Sequence, residues 1–223
     1  MSGRDAILKR IRVSLDVPEN DQAREAAIAT RLREQPKGIL PQKGKGTSEQ
    51  QITAFIRQCK AVNSTVTRLS DYDQVPDELV KYLREHNLPQ QLRHGTDARL
   101  KALNWKSQPN LEHTTGPSDG NDLVGLSHAF GGVAETGTAI LLAGDENPTT
   151  LNFLPETHLI IINAKEIVGD YETVLDRLRD GHGKAQLPRV VNMITGPSRS
   201  GDIEQTMLLG AHGPRSTHVI VVG

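Results

Sequence analysis

The sequence predicts an α/β fold: a mainly parallel sheet flanked by helices, preceded by a helical N-terminal extension. Two patterns carry that expectation. Continuous apolar stretches, His158–Ile162 above all, mark strands buried on both faces. Between such stretches lie segments with apolar residues three and four apart, the period of an amphipathic helix. Strands that alternate with helices in this way form a parallel sheet.

The elements follow in order. Ile7, Leu8, Ile11 and Leu15 recur at helical spacing, and Glu25–Glu34 is an Ala-rich second helix. Pro36–Gly46 is a basic Gly/Pro loop, so residues 1–46 read as an arm and 47–223 as the folded domain. Thr47 or Ser48 can cap a helix running to about Val62. A strand is expected at Thr65–Leu69, a helix at Pro76–His86, and short strands near Gln90–Arg93 and Leu111–Thr115. Strands at Leu123–His128, Thr138–Leu142 and His158–Ile162 come next, then a helix at Ala164–Arg179 with Ile167, Tyr171, Val174, Leu175 and Leu178 on its buried side. Val190–Ile194 is expected as a strand, Asp202–Leu209 as a helix closed by Gly210, and Thr217–Val222 as the last strand.

Composition narrows the function. The 223 residues carry a formal net charge of -1 and only 3% aromatic residues. That balance gives no electrostatic footprint for nucleic acid and no stacking platform for single strands. The one cysteine, Cys59, cannot form an internal disulfide, and it falls short of an iron–sulfur or multi-cysteine zinc ligand set. It sits at helical spacing with Ile52, Phe55 and Ile56, as a small buried hydrophobe would. His128 and His158 lack a second ligand at metal spacing, so no metal site is expected. Nor is there a dinucleotide fingerprint or phosphate loop. No apolar run reaches membrane-spanning length, and the N-terminus lacks the apolar core of a signal peptide. The cytoplasm is the expected compartment.

Two segments carry possible chemistry. In Gly131–Gly144 a glycine-rich stretch meets Glu135-Thr136-Gly137-Thr138 and then an apolar strand. Glu135 there can serve as acid, base or nucleophile, with the amides of Gly137 and Thr138 lining an anion pocket. The alternative is a turn in which Glu135 has no chemical role. In Thr195–Thr206, a strand should give way to a small polar loop and then a helix. Ser198, Arg199 and Ser200 offer donors for an anion at the helix start. Asp202 and Glu204 either face a ligand or simply cap the helix. His212, between tight-turn residues, is either a proton donor or a turn residue bonded to backbone. Together the two segments suggest one pocket, with Glu135 beside the Ser198–Glu204 loop, at the carboxyl edge of a parallel sheet.

Gly-Val-Ala-Glu-Thr-Gly-Thr at 132–138, Gly-Pro-Ser-Arg-Ser-Gly-Asp-Ile-Glu at 196–204 and Leu-Gly-Ala-His-Gly-Pro at 209–214 resemble the LUD-domain family of lactate-utilization proteins. So does the Arg4–Arg12 pattern. The resemblance implies a fold like that of the ribose-phosphate isomerase, glucosamine-phosphate deaminase and CoA-transferase superfamily. It also implies a cluster-free subunit that helps oxidise L-lactate to pyruvate alongside iron–sulfur partner subunits. By analogy with CoA transferases of that superfamily, Glu135 would be the nucleophile; the alternative reading is a stand-alone transferase, isomerase or ligase acting on a phosphorylated or CoA-linked small molecule. A metabolite-sensing scaffold that uses the basic Lys37–Lys45 stretch is a third reading.

Overall fold

The computed structural model describes residues 2–18, 20–34, 36–183, 186–201 and 208–223. The chain divides into two units, one ending at Ile39 and the other comprising Leu40–Gly223. The first unit holds α1 (Gly3–Ser14) and α2 (Gln22–Glu34). The α1 helix begins with a reciprocal cap. The Ser2 side chain accepts from the Asp5 N–H, and the Asp5 carboxylate accepts from the Ser2 N–H. No residue of either helix is buried.

The second unit runs α3 (Ser48–Ala61), β1 (Thr65–Leu69), α4 (Val75–Glu85), β2 (Gln91–His94), α5 (Ala98–Lys101), β3 (Glu112–Thr115), β4 (Val124–His128), β5 (Gly131–Val133) and β6 (Thr138–Leu142). It continues with α6 (Thr149–Phe153), β7 (Thr157–Asn163), β8 (Ile167–Val168), α7 (Tyr171–His182), β9 (Val191–Ile194), β10 (Arg199–Ser200), β11 (Leu208–Leu209) and β12 (Ser216–Val222). Among the described residues, six strands form a wholly parallel sheet in the order β1-β12-β7-β4-β2-β3. The expected mainly parallel sheet flanked by helices is therefore present.

Its two central strands, β7 and β12, show why their sequences do not alternate in polarity. Successive side chains in a strand point to opposite faces. Leu159, Ile161, Ile220 and Val222 pack with Leu79 and Leu83 of α4 on one face. Ile160, Ile162, Val219 and Val221 pack with Phe55 and Cys59 of α3 on the other. Both faces need apolar residues because both are covered.

The second face is covered by more than a helix. A four-stranded, mixed sheet in the order β8-β5-β6-β9 lies there, with Ala139 and Leu141 of β6 in the same cluster as Ile160 and Ile162. Val133 and Ile140, on its outer side, pack against Val174 of α7. This sheet overturns two expectations, and a separate pairing of β10 with β11 overturns a third. The predicted helix at Ala164–Arg179 starts only at Tyr171. Ile167 and Val168 pair with β5, and the Asp170 side chain then caps α7 by accepting from the Thr173 N–H at 2.8 Å. The strand β9 runs antiparallel to β6 instead of joining the parallel sheet. Leu208 and Leu209 pair antiparallel with Ser200 and Arg199, so Gly210 follows a strand rather than capping a helix. The remainder of the predicted 202–209 helix lies outside the described residues.

Close contact between the layers depends on Gly132. A Cβ there would lie 2.7 Å from Ile162 Cδ1 and 3.0 Å from Phe55 Cε2. Gly132→Ala should therefore cost about 1–3 kcal/mol by overpacking. Gly181, in α7, has open space where a Cβ would stand; Gly181→Ala should stabilise by up to about 1 kcal/mol through helix propensity. Urea unfolding of the two variants checks both signs.

The core also encloses histidines. Burial holds His128 and His218 down at about 4 and His158 at about 3, against an ordinary value near 6.5. Below pH 6.5 the unfolded chain takes up protons that the folded chain refuses. Stability is therefore full above that pH and falls as pH drops toward about 4. The loss at pH 5.5 should be on the order of 1 kcal/mol for each of the three residues. Urea midpoints measured between pH 7.5 and 5.5 should fall steadily; a flat profile would show that these rings are not neutral and buried.

Candidate functional site

The Gly131–Gly144 segment folds as a β-hairpin. β5 and β6 pair antiparallel, and the turn between them places the Gly137 N–H on the Val133 carbonyl at 2.9 Å. That amide is occupied, so it does not line an anion pocket. Gly137 has φ +70°, and a Cβ there would meet the Cys59 nitrogen at 2.6 Å. The Cys59 thiol donates to the Gly137 carbonyl at 3.3 Å and is pushed up to about 12 by burial, which makes it a packing residue rather than a nucleophile. The Glu135 N–H donates to the Gly169 carbonyl at 3.1 Å. Its side chain is half-buried.

Thr138 joins the two informative segments. Fully buried, its hydroxyl lies 2.7 Å from Thr136 Oγ1, 2.8 Å from the Tyr171 hydroxyl and 2.7 Å from Thr195 Oγ1. A hydroxyl has one proton and two lone pairs, so these three contacts use all of its capacity. Thr136 and Thr138 therefore fix the hairpin to α7 and to the start of the 195–201 loop.

Ser198 organises that loop. Its N–H donates to the Pro214 carbonyl at 2.8 Å, and its own carbonyl accepts from the Gly210 N–H at 3.1 Å. Its Oγ accepts from the His212 N–H at 3.3 Å. The Arg199 guanidinium donates to the Val62 carbonyl at the end of α3. Ser198, Arg199 and His212 thereby converge on one cavity of about 240 Å³. Its described lining also includes Asn152, His158, Thr195 and Thr217. Glu135 and Ser200 are not in that wall, and Asp202 and Glu204 lie outside the described residues.

The cavity is at the opposite edge of the sheet from the one expected. His158 and Thr217 are the second residues of β7 and β12, so the cavity opens at the amino edge of the parallel strands. The expectation failed because β9, which feeds the loop, belongs to the mixed sheet, where it pairs antiparallel with β6. Its carboxyl end is not at the carboxyl edge of the parallel one.

Sequence reasoning missed the cavity's inner wall. Ser127 Oγ donates to Asn152 Oδ1 at 3.0 Å, so its single proton is committed. His158 Nε2, also 3.0 Å from Ser127 Oγ, must then be the donor in that contact, which leaves Nδ1 as a bare acceptor. His158 Nδ1 and Asn152 Nδ2 are both buried without a partner. Leaving such groups unpaired costs about 1–3 kcal/mol each. The available signal was a histidine opening an otherwise apolar strand, His158-Leu159-Ile160-Ile161-Ile162.

A second polar cluster stands at the carboxyl edge and was also missed. His128 ends β4 and donates from Nδ1 to the Ala129 carbonyl at 2.9 Å. Its Nε2 therefore accepts from the Tyr72 hydroxyl at 2.8 Å. Nearby, Asp97 pairs with Arg99 at 2.7 Å, and Arg99 approaches Glu166 at 3.5 Å. Burial pushes the Tyr72 hydroxyl and Glu166 carboxyl up, whereas the hydrogen bonds and charge of Arg99 hold Asp97 below the usual range against its own burial. Most of these groups satisfy one another. The amino-edge cavity combines open volume with the polar side chains of Ser198, Arg199, His212 and Thr217, which makes it the better ligand site.

The LUD domain model matches residues 52–222. The chain is similar to lactate utilization protein C of Geobacillus thermodenitrificans, 31% identical over 150 residues that cover 66% of this chain and 61% of that one. It is also similar to lactate utilization protein C of Halalkalibacterium halodurans, 28% identical over 193 residues, covering 78% and 80%. With a Geobacillus sp. (strain WCH70) relative of the same name the match spans only 42% of the relative's length. The chain thus spans less than two thirds of several of these relatives. A crystal structure of a DUF162 family protein from Deinococcus radiodurans has a TM-score of 0.58 at 19% identity, covering 80% of this chain and all of that one, a likeness of fold. With a family match that runs from α3 through β12, the chain belongs to the LUD domain family.

Proposed function

We propose that this chain is a cluster-free subunit of a bacterial L-lactate utilization system, working in the cytoplasm beside iron–sulfur partner subunits in the oxidation of L-lactate to pyruvate. The observation that carries the reading is membership of the LUD domain family, with relatives named lactate utilization protein C. Ligand arithmetic supports it. Iron–sulfur clusters are held by several thiolates, and this sequence has the single Cys59, which is buried against Gly137. Electron-carrying clusters would therefore reside in partner chains. No helix among the described residues is long and apolar enough to cross a membrane, which is compatible with that setting. This chain's contribution would be to bind a small carboxylate in the amino-edge cavity.

Deleting the gene alone, in a strain without another L-lactate dehydrogenase, should abolish growth on L-lactate and spare growth on pyruvate. A tagged copy should restore growth and co-purify with proteins carrying iron and acid-labile sulfide. Undiminished growth on L-lactate in the deletion strain would sink the reading.

A further inference from the structure

The two larger sheets have four edges, formed by β1 and β3 in the parallel sheet and by β8 and β9 in the mixed one. An open edge presents a row of unpaired backbone groups, and proteins guard it with charge, brevity or a covering element. Three of the edges are guarded. β1 carries Arg68, paired with Glu49, and β3 carries Glu112. β8 is two residues long and lies against α3. β9 has no such guard. From Val190 to Thr195 the sequence holds no charged residue, and among the described residues no strand pairs with the far side of β9. Leu187, Val190 and Met193 stand exposed along it.

We infer that β9 is a dimer interface, pairing antiparallel with β9 of a second copy of this chain about a twofold axis beside Asn192. The backbone sets the register. The Ala143 N–H donates to the Val190 carbonyl at 3.0 Å, and β9 runs antiparallel to β6. Backbone groups alternate in direction along such a strand, so Val190, Asn192 and Ile194 turn theirs toward β6. Val191 and Met193 turn theirs toward the open side. With Asn192 opposite its own copy, each Val191 faces the Met193 of the other strand, and the two residues exchange both N–H···O bonds. A register shifted toward either end leaves more of the strand unpaired.

The occupant this edge fits is itself. Opposed side chains in an antiparallel pair share a face of the sheet. Val191 and Met193 meet on the outer face, where Val191 already packs with Ile140 and Val174. Val190 and Ile194 meet on the inner face. Arg189 stands opposite Thr195, so no like charges oppose each other. An edge that is apolar on both faces and uncharged needs a strand of the same character, and its own sequence supplies one. The contact is isologous and closes at two copies, joining the two four-stranded sheets across the axis. Met193 and Thr195 also line the amino-edge cavity, so pairing sets each cavity beside the twofold axis.

The test is analytical ultracentrifugation of the full chain between about 1 and 100 μM. The mass should approach twice the 24.4 kDa of one chain as concentration rises. Met193→Lys places a charge on the exposed edge and should weaken the dimer at least about tenfold, with an unchanged circular dichroism spectrum and urea midpoint. Val190→Lys, on the other face of the strand, should do the same and gives a second reading if the first variant folds poorly. The register has its own check. Directly opposed residues of the non-hydrogen-bonded kind have Cα atoms about 4.5 Å apart, within disulfide reach. Asn192→Cys should therefore cross-link to its own copy under mild diamide oxidation, whereas the wild type, whose single cysteine is buried, should not. A monomer mass across the whole range, a dimer indifferent to both lysines, or a dimer in which Asn192→Cys fails to cross-link each overturns the pairing.

Discussion

Burial of β7 and β12 on both faces is the constraint on which the other layers depend. Two adjacent parallel strands with apolar side chains above and below cannot face water on either side. On one face α4 supplies the cover through Leu79 and Leu83. On the other the requirement is larger, and α3 shares it with a second sheet. That sheet then has an outer face of its own, which α7 must cover through Val174. The layer order follows from successive apolar faces, and its close spacing from Gly132, where a side chain would collide with Ile162 and Phe55.

The same stacking locates the site. The strand β9 leaves the small sheet and delivers Thr195–Arg199 over the amino ends of β7 and β12. Thr195 is held by Thr138, deep in the hairpin, and Arg199 by the end of α3. Ser198 ties this loop to the Gly210–Pro214 segment that leads into β12. Two sequence motifs some sixty residues apart thus belong to one construction, though not in the way their chemistry suggested. The first motif supports the loop through hydroxyls, and the second forms a wall of the cavity.

How far the sequence could be read divides along physical lines. Strands buried on both faces leave a strong signature, so His158–Ile162 and Thr217–Val222 were legible, as was the capped α3. Short strands of the covering sheet were not. Ile167 and Val168 fit a helical stripe as well as a two-residue ladder, and only the Asp170 cap distinguishes the cases. The amino-edge site was half legible. Ser198, Arg199 and His212 were found because they sit in a loop between turn residues. His158, Asn152 and Ser127 were not, because a buried hydrogen-bond chain joins residues from β4, α6 and β7 with no local spacing rule. Glu135 attracted attention as a carboxylate entering an apolar strand. Hairpin formation explains its position without assigning it to the cavity.

The two edges of the parallel sheet also answer a question of chemistry. At the carboxyl edge His128 is closed on both nitrogens, one on Tyr72 and one on the chain's own backbone. At the amino edge His158 is bonded on one nitrogen, and the other is buried without a partner. Both rings are held neutral by burial, so neither is tuned as a general base near neutral pH. What differs is the unspent hydrogen-bonding capacity. A neutral ring whose Nδ1 is buried without a partner carries a desolvation cost of about 1–3 kcal/mol, which the packing around β7 must offset.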